Sequence, residues 1–196
     1  MKKINFNSQL KDYELTYWKA HKTEYYGRPT QMKEIFKDYL IKRKIAIDVG
    51  CGPYCGIFNE LKFPEMYAID PLWPEYNSAG LTIIPENVQT IATNAESFKL
   101  KKKAGVAFSI NALDHSGSLI SSVKNIMDNL RKKGRFFFHV HLRTVEQLNT
   151  GHLMVVTEKE LDDLFNNYNV LWKKILEECP FDHKKYKSYI TVVEKI

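Results

Sequence analysis

Apolar positions along the chain fall into two kinds of segment. Short, nearly continuous apolar runs rich in β-branched and aromatic residues lie at 44–48, 66–70, 88–92, 106–110, 135–142, 169–176 and 188–193. Each has strand length, and unbroken apolar runs suit strands buried on both faces. Between them the apolar positions take helical spacing. After Pro29, which suits a first helical turn, Met32, Ile35, Phe36, Tyr39 and Leu40 trace one stripe. Leu119, Ile120, Val123, Ile126, Met127 and Leu130 trace another, closed by Arg131, Lys132, Lys133 and Gly134. Thr157-Glu158-Lys159-Glu160 is a capping box opening a helix to about Asn166. Residues 8–26 read as a helix with Glu14, Trp18, His21 and Tyr25 on one face, and 54–62 as a second helix. Pro71, Pro74, Asn77, Ser78 and Gly80 predict a loop over 71–80.

Strands alternating with helices imply an α/β fold, a mostly parallel seven-stranded sheet with helices on both faces. The 196 residues suffice for one such domain, with a helical N-terminal segment at 1–43 and a core at 44–196. Ligands of such sheets bind beyond the carboxyl ends of the strands. The polar residues there are Asp48, Asp70, Asn94, Asn111, Asp114, His115, His139, His141 and Arg143.

The first strand ends in Asp48-Val49-Gly50-Cys51-Gly52-Pro53-Tyr54-Cys55-Gly56, and the second ends at Asp70. Glycine lets the chain turn sharply and lets a ligand approach the backbone. An acid at the next strand tip can accept hydrogen bonds from a ribose diol. The spacing Gly50-x-Gly52-x-x-x-Gly56 is one residue longer than a nicotinamide fingerprint, and Asp48 would repel a pyrophosphate. A nicotinamide-dependent oxidoreductase is therefore disfavoured. A cationic, hydroxyl-rich ligand suits the pair of acids.

Asp48-Val49-Gly50-Cys51-Gly52 resembles the first motif of the class I S-adenosylmethionine-dependent methyltransferases, and Asp70 stands where that family keeps its ribose-binding acid. The resemblance implies S-adenosylmethionine as cofactor, a Rossmann-like domain, and an antiparallel C-terminal strand closing the sheet. It implies cofactor contacts from Asp48, Gly50, Cys51, Gly52, Asp70 and Pro71, from Asn94 and Ala95 after the third strand, and from Asn111 after the fourth. It also implies that residues 1–43 form a lid over the cofactor, with Tyr25 and Tyr26 on the acceptor. Asn111-Ala112-Leu113-Asp114 replaces the Asp/Asn-Pro-Pro-Tyr of methyltransferases acting on nucleic-acid amino groups, which removes the main support for that class.

Methyl transfer from a sulfonium is an in-line displacement, catalysed largely by positioning. A hydroxyl acceptor gains from a base, and histidine titrates in the right range. In the fifth strand, His139, His141 and Arg143 point to one side. His141 and His115 are the candidate catalytic residues, with His139 and Arg143 on the acceptor and Arg143 suited to an anion. A metal set drawn from His139, His141 and His152 is not expected, because two i, i+2 histidines lack a clear third ligand. The 143–157 insert, with Gln147, Asn149, Gly151 and His152, suits acceptor recognition.

The remaining composition adjusts this picture little. No apolar run reaches membrane-spanning length, and the polar N-terminus lacks a signal-peptide core. Three cysteines give no disulfide framework, which fits a reducing, cytoplasmic setting. The net charge of +6 suits a lysine-rich solvated surface and anionic small molecules. The expected function is methylation of a small polar metabolite at oxygen, a sugar or related hydroxyl. The alternatives are an RNA methyltransferase using the basic surface, or a non-catalytic nucleoside-binding module. The sequence leaves the oligomeric state open.

Overall fold

The computed structural model describes residues 8–21, 28–149, 151–152, 154–179 and 186–196. Among the described residues seven strands form one sheet: β1 (Ile45–Val49), β2 (Glu65–Ile69), β3 (Val88–Ile91), β4 (Ala104–Ile110), β5 (Leu130–His141), β6 (Asn169–Leu176) and β7 (Ser188–Glu194). Their order is β3-β2-β1-β4-β5-β7-β6. The pairs among β1 to β5 are all parallel, and β7 runs antiparallel to both β5 and β6. The antiparallel C-terminal strand expected from the resemblance is present.

Side-chain alternation sorts the core into two layers. Ile45, Ile47 and Val49 of β1 and Phe136, Phe138 and Val140 of β5 pack on one face. There they meet α5 (Leu119–Asn129) through Val123, Ile126 and Met127, and α6 (Glu158–Phe165) through Leu161 and Phe165. On the opposite face Ala46, Met66, Ala68, Phe108 and Phe137 meet α2 (Arg28–Phe36), α3 (Gly56–Glu60) and α4 (Trp73–Ser78). Every residue of β1 is buried, as its unbroken apolar run requires. Burial of this kind contributes about 25 cal/mol per Å² of apolar surface, so the paired layers are the main source of stability.

Three elements differ from the sequence reading. The 71–80 segment contains a helix, because Pro74 falls in the first turn of α4, where its missing N–H costs nothing. Buried Tyr76 and Trp73, whose Nε1 donates to the Ala68 carbonyl at 3.2 Å, pin that helix to the sheet. Helix α5 ends at Asn129, since Leu130 is already extended, and the turn comes at Lys133 with φ 56°. Helix α3 starts only at Gly56, because Cys55 before it takes φ 45°, a left-handed conformation.

The N-terminal helix α1 (Ser8–Ala20) lies over the carboxyl ends of β1 and β4. Its Trp18 packs edge-on against Tyr54 and Tyr76. The rest of the helix expected to residue 26, including Tyr25 and Tyr26, lies outside the described residues apart from His21, which follows the helix end. Among the described residues, no helix is long and apolar enough to cross a membrane. All three cysteines are free thiols.

Candidate functional site

A cavity of 1210 Å³ opens at the carboxyl ends of β1, β2, β4 and β5, under α1. Its first half is the glycine loop. Gly50 and Gly52 take φ of 71° and 60°, in the left-handed region that side chains disfavour. A Cβ on Gly50 would also stand 2.3 Å from the Cβ of Ala112. Gly50→Ala is therefore expected to cost about 1–3 kcal/mol from backbone strain plus the clash, read as a lowered thermal midpoint. An unchanged midpoint would show that the loop can relax.

Asp70 braces this loop. Its Oδ2 accepts from the Gly52 N–H at 3.0 Å and its Oδ1 from the Leu72 N–H at 2.9 Å. Each oxygen keeps a further lone pair, and the residue lines the cavity beside Asp48. Burial, helped by the neighbouring Asp70 charge, pushes Asp48 up to about 8. Burial likewise pushes Asp70 up to about 7, against the two backbone hydrogen bonds. A cation bound beside them would draw both carboxyls towards the ionised form.

Both groups hold their protons more tightly in the folded state than at the ordinary carboxyl value of 3.8. The stability this contributes is complete below about pH 4 and is lost as pH rises through 7 and 8. The thermal midpoint of the ligand-free protein is expected to fall across that window, and Asp48→Asn should flatten the fall. A midpoint that rises from pH 5 to 8 would contradict it.

Cys51, Pro71, Asn94, Ala95 and Asn111 line the same cavity. Asn111 has φ 52°, and its backbone N–H donates to the His139 carbonyl at 2.8 Å. Its side-chain Oδ1 is buried without a hydrogen-bond partner. A buried acceptor left unpaired costs about 1–3 kcal/mol, so its retention points to a ligand donor.

The second half of the cavity is polar. His115, from a 3₁₀ turn at Leu113–His115, has Nδ1 3.4 Å from Glu14 Oε1 of α1 and Nε2 3.8 Å from Asp114 Oδ1. His152 Nδ1 lies 3.0 Å from Asp114 Oδ2, and Arg143 Nε lies 3.5 Å from the same oxygen. Burial would raise the Asp114 pKa, but His115, the His152 hydrogen bond and Arg143 outweigh it and hold its carboxyl well below the usual range. Asp114 is thus an anion shared among three partners. Burial lowers His152, outweighing Asp114, which keeps that ring neutral near pH 7.

Arg143 Nη2 lies 3.3 Å from His141 Nδ1. A guanidinium can only donate, so Nδ1 is the acceptor and the ring hydrogen resides on Nε2. The expectation of His141 as a base is revised on this ground: in this arrangement it is a donor. The expected contact of His139 with an acceptor is not met either. His139 is fully buried, absent from the cavity wall, and has Nε2 4.0 Å from Cys179 Sγ. Donor atoms of Asp114, His115 and His152 lie within 4.8 Å of one another, as do those of His139, His141 and Cys179. The Arg143 guanidinium already supplies the cation beside Asp114.

The sequence matches no protein-family model and no curated protein. Its fold matches many solved structures. One is 1,6-didemethyltoxoflavin-N1-methyltransferase from Burkholderia thailandensis, with 1,6-didemethyltoxoflavin and S-adenosylhomocysteine bound. It aligns at TM-score 0.69 and 16% identity, over 96% of this chain and 88% of that one. A second is the N-methyltransferase NodS from Bradyrhizobium japonicum WM9 with S-adenosylhomocysteine, at TM-score 0.66 and 13% identity, over 86% and 85%. A third is the [4+2]-cyclase SpnF, at 0.63 and 12%, over 85% and 80%.

The fold is that of the class I methyltransferases. Within this methyltransferase fold, the sequence reading located the glycine-loop half of the cavity and missed parts of the polar half. Glu14, Tyr13 and Tyr186 line that half and come from α1 and from the chain just before β7. His152, which the sequence places in a recognition insert and in a disfavoured metal set with His139 and His141, reaches Asp114 instead. One signal for it was present: Gly151 precedes it, and a Cβ there would stand 2.1 Å from the Tyr13 ring. The bare glycine lets the insert close against α1.

Proposed function

We propose that this protein binds S-adenosylmethionine in the glycine-loop half of its cavity and methylates a small polar molecule, at oxygen, in the histidine half. The observation that carries the reading is one continuous cavity of 1210 Å³ spanning both halves. A single small-molecule site is typically about 300–1,000 Å³, so the volume suits two ligands side by side.

The residues present fit the cofactor. A cation would draw the buried, raised carboxyls of Asp48 and Asp70 towards the ionised form, and the unpaired Asn111 Oδ1 calls for a donor such as an amino group. Asp70 would use its remaining lone pairs on the ribose hydroxyls, while Cys51, Pro71, Asn94 and Ala95 flank it. The bound cofactor supplies a methyl group on a cationic sulfur. Helix α1 covers part of the cavity, with the Trp18 ring against the Gly52 backbone.

His115 is the base of this reading. Glu14 beside Nδ1 favours the tautomer with hydrogen on that nitrogen, leaving Nε2 to take the acceptor proton. Ionised Asp114 then stabilises the imidazolium. His141 and Arg143 hold the acceptor by donating to it. Tyr25 and Tyr26, expected on the acceptor, lie outside the described residues and take no part in the argument.

Two measurements test the reading. Calorimetry with S-adenosylmethionine should show binding, and transfer of a labelled methyl group should appear with some member of a panel of polyols, sugars and amines. Binding without transfer to any hydroxyl or amine would favour a nucleoside-binding module. Transfer to amines alone would move the reaction from oxygen to nitrogen.

A further inference from the structure

The polar half of the cavity holds a buried guanidinium whose donors are only partly paired. Arg143 is 2% exposed and lines the cavity. Its three guanidinium nitrogens carry five N–H bonds. Nε faces Asp114 Oδ2 at 3.5 Å, and Nη2 donates to His141 Nδ1 at 3.3 Å. Nη1, with two N–H bonds, is buried and has no hydrogen-bond partner. The Tyr186 ring covers one face of the guanidinium at 4.6 Å, fixing its plane. Asp114 carries the one negative charge that faces this guanidinium, and the neutral His152 ring takes the same carboxyl oxygen that Arg143 Nε faces. Glu14, the other acid here, stands beside His115.

From this unpaired pair of N–H donors on the cavity wall we infer that the methyl acceptor is an anion, carrying a carboxylate or a phosphate that Arg143 Nη1 grips. A guanidinium is suited to both groups, because its planar fork matches two oxygens at once. A neutral polyol would offer Nη1 single hydroxyl acceptors, whereas a carboxylate or phosphate offers charged oxygens that match the fork. The inference rests on the methyltransferase reading only in calling the anion an acceptor. The anion site itself requires only the cavity and the arginine.

The test uses the full chain with two probes, inorganic phosphate and acetate, against sodium chloride at equal ionic strength. Thermal midpoint and calorimetric affinity are read for the wild type, Arg143→Lys and Arg143→Met. Phosphate or acetate should stabilise the wild type, and the probe that does so identifies the class of anion. Affinity for it should fall more than tenfold in Arg143→Lys, which keeps the charge beside Asp114 and loses the fork. Arg143→Met should abolish it. Should the methionine variant fail to fold, the lysine variant carries the test alone. No stabilisation by either probe, or an affinity unchanged in Arg143→Lys, overturns the proposal.

Binding of S-adenosylmethionine, measured on the same proteins, separates the two readings. Cofactor binding without anion binding removes only the anionic acceptor. Anion binding without cofactor binding removes the methyltransferase reading and leaves an anion-binding protein.

Discussion

Replacing Asp70 with alanine is expected to weaken S-adenosylmethionine binding by more than tenfold while the sheet stays folded. The size follows from the number of interactions one carboxylate makes. It accepts from the Gly52 N–H and from the Leu72 N–H, so it ties the glycine loop to the tip of β2. Hydrogen bonds to a charged group contribute about 1.5–3 kcal/mol each, and the ribose contacts would add to the loss. The sheet is spared because Asp70 lies outside β2 and both apolar layers pack without it. Asp70→Asn separates the two roles. Asparagine keeps an acceptor for one backbone N–H and loses the charge that the cationic cofactor would favour, so its loss should lie between wild type and alanine. Calorimetry measures all three, and far-ultraviolet circular dichroism checks the fold. An alanine variant with wild-type affinity would remove the ribose assignment and, with it, the cofactor reading of this strand tip.

The two halves of the cavity were unequally legible in the sequence, for a physical reason. The glycine-loop half is built from strand tips, and each tip carries its chemistry within a few residues of its own apolar run. Asp48, Gly50 and Gly52 follow β1, and Asp70 follows β2, so a local pattern is enough to place them. The polar half is assembled from distant parts of the chain. Glu14, Asp114, His115, Arg143, His152 and Tyr186 meet only because α1 crosses the sheet and the insert after β5 folds back on it. No periodicity carries that information. The same limit explains His139 and His141. Strand alternation correctly put both on one side, but only packing shows that His139 is sealed against Cys179 while His141 reaches the cavity. The missed helix α4 is a local error of another kind: Pro74 was read as a breaker, although in a first turn proline is a starter.

His115→Ala is expected to lower methyl transfer to a hydroxyl acceptor by about 10²–10⁴-fold, the usual range for a positioned base. The cofactor affinity should change much less, because the glycine loop is held to the tip of β2 by Asp70 hydrogen bonds that do not involve this ring. Three neighbours make His115 the choice over the other histidines of the cavity. Glu14 stands 3.4 Å from one ring nitrogen, Asp114 3.8 Å from the other, and His152 stacks at a tilt with ring centres 4.5 Å apart. His141 has Nδ1 committed to Arg143, and burial lowers the His152 pKa, which makes that ring a weaker base. His115→Gln sharpens the test, since glutamine restores polarity and volume but takes no proton, and it should be as inactive as alanine. Glu14→Gln leaves the ring and replaces the carboxyl 3.4 Å from Nδ1 with an amide, so a smaller fall in kcat is expected with KM nearly constant. For an amine acceptor, deprotonated before the transfer, the same variants should lose much less. A His115→Ala enzyme with wild-type kcat on a hydroxyl acceptor would place the base elsewhere, or show that alignment alone carries the reaction.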